Sequence, residues 1–498
     1  MSERRATQGL LGLAIGLALV ARLAQITSMQ REIYGDIAIV FDYVDRILAG
    51  DFPSAFVLSA GPLYHYLIAP YVALGGESYL TLKLASVLVS LGALAGTWLL
   101  ARRLAGALYA ALAVLVAGTG SWLLIFSRLG NSQIVVPVLA TLSIWLVVRF
   151  AQERRQRDLA LSAVVAALGL YAYPQAFGLA PIAAATLVAL RWTGAGIRWG
   201  DVGRYLVYAA LAAIPFAVIV ASDPAAFTGD YIGGKLGGSA DPLAALLRNA
   251  GRVAGSLHLH GDSGSRVNPS GAPHLDVISG VLLLAGVAWW ARAARRRWLP
   301  AILVPLIAQH VPSILVLADV SRGDVPSASR TLGAAPFAYL LVAGGIALVA
   351  ELPRRTAARV AIAAVLCAAI VALNLQRYFG SYIDGLPLGD TPITALIADD
   401  ARSAPGVSGV TLVGCCWEGQ MPEPLGVLYD LGRSKRFETI DPRALSCERA
   451  AALTAGTLVV WSGRRRLASQ LLVACPEVLP GALVRARGRP IYRRALVP

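Results

Sequence analysis

Hydrophobic residues in this chain run in long unbroken stretches, and the polar residues collect in the gaps between them. A helical span needs about 20 apolar residues, and eleven stretches meet that length, near 8–27, 79–101, 105–124, 132–149, 159–174, 176–191, 204–221, 276–291, 299–318, 331–350 and 359–376. The pattern predicts a mainly α, polytopic helical membrane protein. From about Gly385 the long runs stop, and short β-type runs such as Val410–Val413 and Thr457–Trp461 take their place. Residues 1–384 therefore read as a transmembrane domain and 385–498 as a small extracytoplasmic α/β domain.

Composition excludes an ordinary soluble enzyme, because a chain of 498 residues with 57% hydrophobic and 15% charged side chains cannot cover a soluble surface. The net charge of +15 would suggest nucleic acid, but the placement of the arginines argues against it. They gather as Arg102 and Arg103, and then within 149–157, 191–204, 292–297 and 354–359, at every second inter-helix loop. That is the positive-inside pattern, and nucleic acid is excluded as a partner. Arg4 and Arg5 ahead of the first run fix a cytoplasmic N-terminus, and the run lacks a cleavage site and reads as a retained anchor. Outward segments are then 28–78, 125–131, 222–275, 319–330 and 377–498. Richness in alanine and arginine suits a bacterial inner membrane. Cys415, Cys416, Cys447 and Cys475 fall in the exported part, where disulfides persist, so paired and free thiols are both open readings.

The first outward gap carries the acids Glu32, Asp36, Asp42, Asp45 and Asp51. From Asp36 to Gly50, Ile37, Val40, Phe41, Val44, Ile47 and Leu48 recur at helical spacing, with Asp42, Asp45 and Arg46 on the other face. The spacing predicts an interfacial helix lying apolar side down. A second piece, Gly61-Pro62-Leu63-Tyr64-His65-Tyr66 with 67–74, is too short to span and reads as interfacial or re-entrant, its tyrosines at headgroup level.

The order of these elements carries a resemblance. An acid, an amphipathic segment ending Ala49-Gly50-Asp51-Phe52, then Gly61-Pro62-Leu63-Tyr64-His65-Tyr66 and Leu82-Lys83-Leu84-Ala85-Ser86 are followed by Phe126-Ser127-Arg128-Leu129-Gly130 and Gly169-Leu170-Tyr171-Ala172-Tyr173. Gly261-Asp262, Arg266-Val267-Asn268 and Pro273-His274-Leu275-Asp276 come next. Over roughly residues 1–350 this resembles the GT-C class of integral-membrane glycosyltransferases, which includes protein O-mannosyltransferases and lipid A aminoarabinose transferases.

The resemblance implies transfer of a sugar from a polyprenyl-phosphate donor to an acceptor hydroxyl of a lipid, glycan or protein, at the outer face and with inversion. A sugar phosphodiester has a good leaving group, so one carboxylate base and cations for the phosphate suffice, whereas glycosidases usually need two carboxylates. Asp36 matches the catalytic carboxylate of the family's first loop; from the residues alone it reads as the cap of the helix beginning at Ile37. Glu32 supports or replaces it. Arg128 and Lys83 each read as a phosphate ligand or as a snorkelling cation.

The sequence departs from the family in two places. Ser59-Ala60-Gly61 lacks the basic residue that many relatives carry there, which passes the phosphate role to Arg128, Lys83, Arg266 or Arg330. Asn131, Ser132 and Gln133 replace an acid, which weakens a paired-carboxylate metal site. Asp262, Arg266 and Asn268 match a family loop that reaches over the donor. Tyr64, His65, Tyr171 and Tyr173 suit sugar stacking or an aromatic belt.

His258, His260 and Asp262 would share one face of an extended strand, so a divalent metal is one reading and solvated loop histidines the other. No cofactor is assigned. The rival class is a transporter or flippase of a lipid-linked substrate, which predicts ionisable residues inside spans, broken helices and inverted repeats. The nearly charge-free spans favour the transferase.

Overall fold

The computed structural model describes the chain except for residues 1–2, 55–59, 225–234, 238, 319–324, 416–420, 433–434, 464–478 and 487. It divides into two compact units, residues 1–26 with 46–382 and residues 27–45 with 383–498.

The first unit is a bundle of apolar helices, and each of the eleven predicted stretches coincides with helix. Among the described residues, seven helices are long and apolar enough to cross a membrane, or up to nine if each of two bent pairs is one span. The shortfall from eleven has local causes. Gln156–Leu168 has only 13 residues, roughly 20 Å of helix against a core of about 30 Å. Residues 296–314 form only short helices, with Pro300 and Pro312 in the first turns of Pro300–Ala308 and Val311–Ile314, where each lacks the N–H that would continue a ladder from the preceding turn. Ala107–Thr119 and Ser121–Ser127 meet at 62°. The bend sits at Gly120, where a Cβ would lie 2.3 Å from the Tyr339 ring. The chain is a multi-pass membrane protein.

Its candidate spans carry at most two charged residues in their 18-residue apolar windows, in keeping with the nearly charge-free runs of the sequence. Arg22 and Lys83 are buried within their helices, while Asp158 and Asp201 are buried in the first turns of theirs. Two of these, Asp158 and Asp201, are neutralised by arginines of neighbouring segments, with Arg149 Nη2 2.5 Å from Asp158 Oδ1 and Arg154 Nη2 2.5 Å from Asp201 Oδ2. A buried carboxylate is tolerated when it is paired.

The second unit holds a five-stranded sheet, β1 (Gly409–Val413), β2 (Arg436–Ile440), β3 (Thr457–Ser462), β4 (Leu479–Ala486) and β5 (Arg489–Leu496), in the order β2-β1-β3-β5-β4. Both β-type runs seen in the sequence are strands. β1 pairs in parallel with β2 and β3, while β5 runs antiparallel to β3 and β4. β1 and β3 are buried along their full length, which is why they read as continuous apolar runs. Leu458 and Val460 join one core with Ile397 and Leu412, and Val459 and Trp461 join the other with Val413 and Ala495. Residues 27–45 belong here through Arg31, whose Nη2 donates to Asp390 O at 2.7 Å, and through Phe41, whose ring lies 4.9 Å from that of Tyr429.

Candidate functional site

In the first unit, the turn Pro174–Gly178, the helix Leu179–Trp192 and the short helices Pro300–Ala308 and Val311–Ile314 enclose a cavity of about 460 Å³. Phe177, Ile182, Val311 and Leu315 are among its apolar lining, and Lys235 and Arg330 are its charged lining residues. Irregular backbone at membrane depth is tolerated where it lines such a cavity.

Arg330 is half-buried on a tightly held loop. Ser327 N donates to Ser313 Oγ (3.0 Å), Arg330 N to Ser327 Oγ (3.3 Å) and Thr331 Oγ1 to Ser327 O (2.7 Å). Ala328 is held through both of its backbone groups, its N–H donating to Asp262 Oδ2 at 2.8 Å and its carbonyl accepting from Trp122 Nε1 at 3.2 Å. Asp262 therefore comes together with the loop that carries Arg330. It is 5% exposed, and its second oxygen accepts from Gly264 N at 2.7 Å. Asn268 is also buried, and its amide donates to the carbonyls of Asp262, Pro269 and Ala272. These two family-loop residues build the loop and do not face outward from it. Arg266 is half-buried, and its carbonyl accepts from Tyr382 Oη at 2.6 Å.

Arg128 and Lys83 do not snorkel, because both are buried at the C-terminal end of the helix Glu3–Leu23. Arg128 Nη1 donates to Ala21 O at 2.9 Å, and Lys83 Nζ donates to Ile26 O at 3.0 Å and stands 4.3 Å from the Tyr79 ring. Arg22 donates to Ala18 O, Gly118 O and Ser90 Oγ in the same region. Cations beside free carbonyls at a helix C-terminus are favoured by its dipole. The Arg128 guanidinium also lies 5.0 Å from the Tyr378 ring, and Tyr378 stacks on Tyr382.

Tyr64 and His65 are fully buried within the protein. Tyr64 Oη bonds Ser86 Oγ at 2.7 Å and His65 Nδ1 is 3.0 Å from Gly61 O. Burial drops out of a short sequence segment because only the neighbouring helix supplies it. Gly61 itself approaches the Tyr171 and Ala172 backbone so closely that a Cβ would lie 2.3 Å from Tyr171 O, which joins two of the motifs that carried the resemblance.

In the second unit, Asp36 is exposed in the first turn of the helix Gly35–Leu48. It follows the helix's first residue, so capping is not its position, while its charge suits the N-terminal dipole. Ile37, Val40, Phe41 and Val44 of that helix are covered by protein. Glu32 is buried, and its Oε2 accepts from Thr394 N at 3.3 Å.

His258, His260 and Asp262 do not share a strand face. His260 N turns back to Gly255 O, His258 Nε2 bonds Gly280 O at 3.1 Å, and Asp262 is buried away from them. Among the described residues, no group of three or more His, Cys, Asp or Glu side chains could hold a metal ion. His274 is enclosed, its ring 4.4 Å from that of Trp122. Sequence reasoning missed Trp122, Ser313 and Lys235. Only Lys235 left a signal, as a cation in a Gly- and Ser-rich segment. Cys415 and Cys447 are disulfide-bonded, while Cys416 and Cys475 lie outside the described residues.

Residues 59–221 match the family model described as dolichyl-phosphate-mannose-protein mannosyltransferase. ArnT from Cupriavidus metallidurans, solved with undecaprenyl phosphate bound, is similar over 98% of each chain, at 13% identity and a TM-score of 0.62. The fold is that of the GT-C glycosyltransferases. The same ArnT in its apo state gives a TM-score of 0.60 at 15% identity over 98% of each chain. The GT-C-fold oligosaccharyltransferase AglB from Archaeoglobus fulgidus, in complex with an inhibitory peptide and a dolichol-phosphate, gives 0.54 at 13% identity, over 92% of this chain and 70% of its own. No curated protein matches the chain by sequence. Family model and GT-C fold agree on a membrane glycosyltransferase, as the motif order implied.

Proposed function

We propose that the protein transfers one sugar from a polyprenyl-phosphate donor to a hydroxyl of a lipid, glycan or protein acceptor at the outer membrane face. The observation that carries this reading is the apolar cavity whose charged lining is Arg330 and Lys235. Its wall suits isoprenoid units. Arg330 offers a planar fork to the phosphate and Lys235 a compact positive charge.

The acceptor oxygen attacks the anomeric carbon from the face opposite the phosphate, the bond to the phosphate oxygen breaks, and configuration inverts. The proton passes to a carboxylate, and the released polyprenyl phosphate gains the negative charge that the two cations stabilise. Asp36 is the base in this scheme, supported by its match to the family's first-loop acid and by its exposure. The arginine alternation and the disulfide-bonded Cys415 and Cys447 support an outward C-terminal domain.

Purified protein supplied with undecaprenyl-phosphate sugars and, separately, nucleotide sugars, with a membrane extract as acceptor, tests the donor class. Transfer is expected only from the lipid-linked form. Transfer from the nucleotide sugar alone would remove the reading.

A further inference from the structure

We infer that Asp262 is a positioning residue that sets Arg330 in the cavity by fixing the backbone at Ala328. The inference rests on the donor-cavity reading above and adds what makes Arg330 fit for it. Arg330 has a long, rotamer-rich side chain, and its aim depends on the backbone that carries it.

That backbone is held at one residue, Ala328, through the two peptide groups that flank it. Asp262 Oδ2 takes the Ala328 N–H, two residues before Arg330, while Trp122 Nε1 holds the Ala328 carbonyl. The carboxylate is buried, and its other oxygen takes the N–H of Gly264. An ionised group bonded in this way makes stronger bonds than a neutral one, and burial preserves their strength. Trp122 is buried in turn, fixed against the His274 ring next to the bend at Gly120. Ser313, which anchors Ser327, belongs to the short helix Val311–Ile314 that lines the cavity. The loop is thus tied to the cavity wall at one point and to Asp262 and Trp122 at the next.

Asparagine at 262 keeps the shape of the side chain but turns one acceptor into an N–H₂ facing a backbone N–H. Loss of a charge-assisted bond weakens an interaction by about tenfold or more. The loss is expected in donor affinity because the loop still closes elsewhere.

The experiment is a double-mutant cycle on the full-length protein in detergent, with the dissociation constant for undecaprenyl phosphate as the readout. Arg330→Gln and Asp262→Asn are each expected to weaken binding about tenfold, and Asp262→Asn is expected to add nothing once Arg330→Gln is present. Equal weakening in both backgrounds, or none in the single variant while Arg330→Gln does weaken binding, overturns the positioning role and leaves the donor-cavity reading standing. Unchanged binding in Arg330→Gln overturns the donor-cavity reading itself. If Asp262→Asn does not fold, Trp122→Phe, which removes the indole N–H that holds the Ala328 carbonyl together with part of the buried ring, goes through the same cycle, and additivity there overturns the inference.

Discussion

Arg128 donates from Nη1 to the carbonyl oxygen of Ala21 at 2.9 Å, so a fully buried guanidinium closes the end of a helix 107 residues earlier in the chain. Its Nε and Nη2 have no hydrogen-bond partner among the described residues. Desolvating such a group costs more than one carbonyl bond returns, and isosteric apolar replacements of buried charges are often neutral or stabilising. Arg128→Met is therefore expected to melt at or above the temperature of the native protein. Arg128→Ala, which leaves a cavity, is expected to lose about 2–4 kcal/mol. Thermal unfolding of the three proteins in one detergent checks both, and a large loss in Arg128→Met would show that the cation is needed for folding.

Gly61→Ala puts a methyl group 2.3 Å from Tyr171 O and 2.6 Å from Ala172 O. Backbone on both sides cannot yield as a side chain does. A loss of about 1–3 kcal/mol or more is expected, read as a lowered melting temperature or failure to accumulate in membranes.

Asp36→Asn is expected to lower turnover by about two to four orders of magnitude, as removal of a general base does. Its melting temperature and its affinity for undecaprenyl phosphate should match the native values. Turnover retained in this variant would remove Asp36 from the scheme.

His274 lies outside the spans, and its pKa is held well below the ordinary value of 6.5 by burial first, then by the nearby His310 and Arg377 charges. A depressed histidine means that the unfolded chain binds the proton more tightly. Its contribution to stability is therefore complete above about pH 6.5 and is lost as pH falls below that value. His274→Phe should flatten the decline in melting temperature between pH 7 and pH 5, measured against the native protein.

The proposed outward C-terminal domain makes a topological prediction. A membrane-impermeant thiol reagent should label a cysteine introduced at Arg489 in intact spheroplasts, and one introduced at Arg102 only after permeabilisation. The reverse pattern would place the carboxylate chemistry on the wrong face.

The pattern along the chain was sufficient for the class of fold. Long apolar runs can only be buried in lipid or in one another, and β1 and β3 announced themselves because strands buried on both faces need apolar residues at every position. Motif order carried the GT-C resemblance, because close approaches such as Gly61 to Tyr171 constrain residue type directly. Partnership was not legible. Asp262 and Asn268 were seen in the sequence as polar loop residues of a substrate site, yet the N–H that fixes Asp262 belongs to Ala328, 66 residues on.

What the sequence determined by itself was where the chain can be solvated, hence the helices, the change of character near Gly385 and the membrane. Tertiary structure alone decided which polar groups face one another. It buried Tyr64, His65 and Glu32, set Arg22, Lys83 and Arg128 against helix ends, grouped residues 27–45 with 383–498, and left Arg330 and Lys235 on a cavity. The reason is physical: hydropathy is a property of each residue, whereas a hydrogen bond needs two groups at about 3 Å, and only the folded chain fixes that distance.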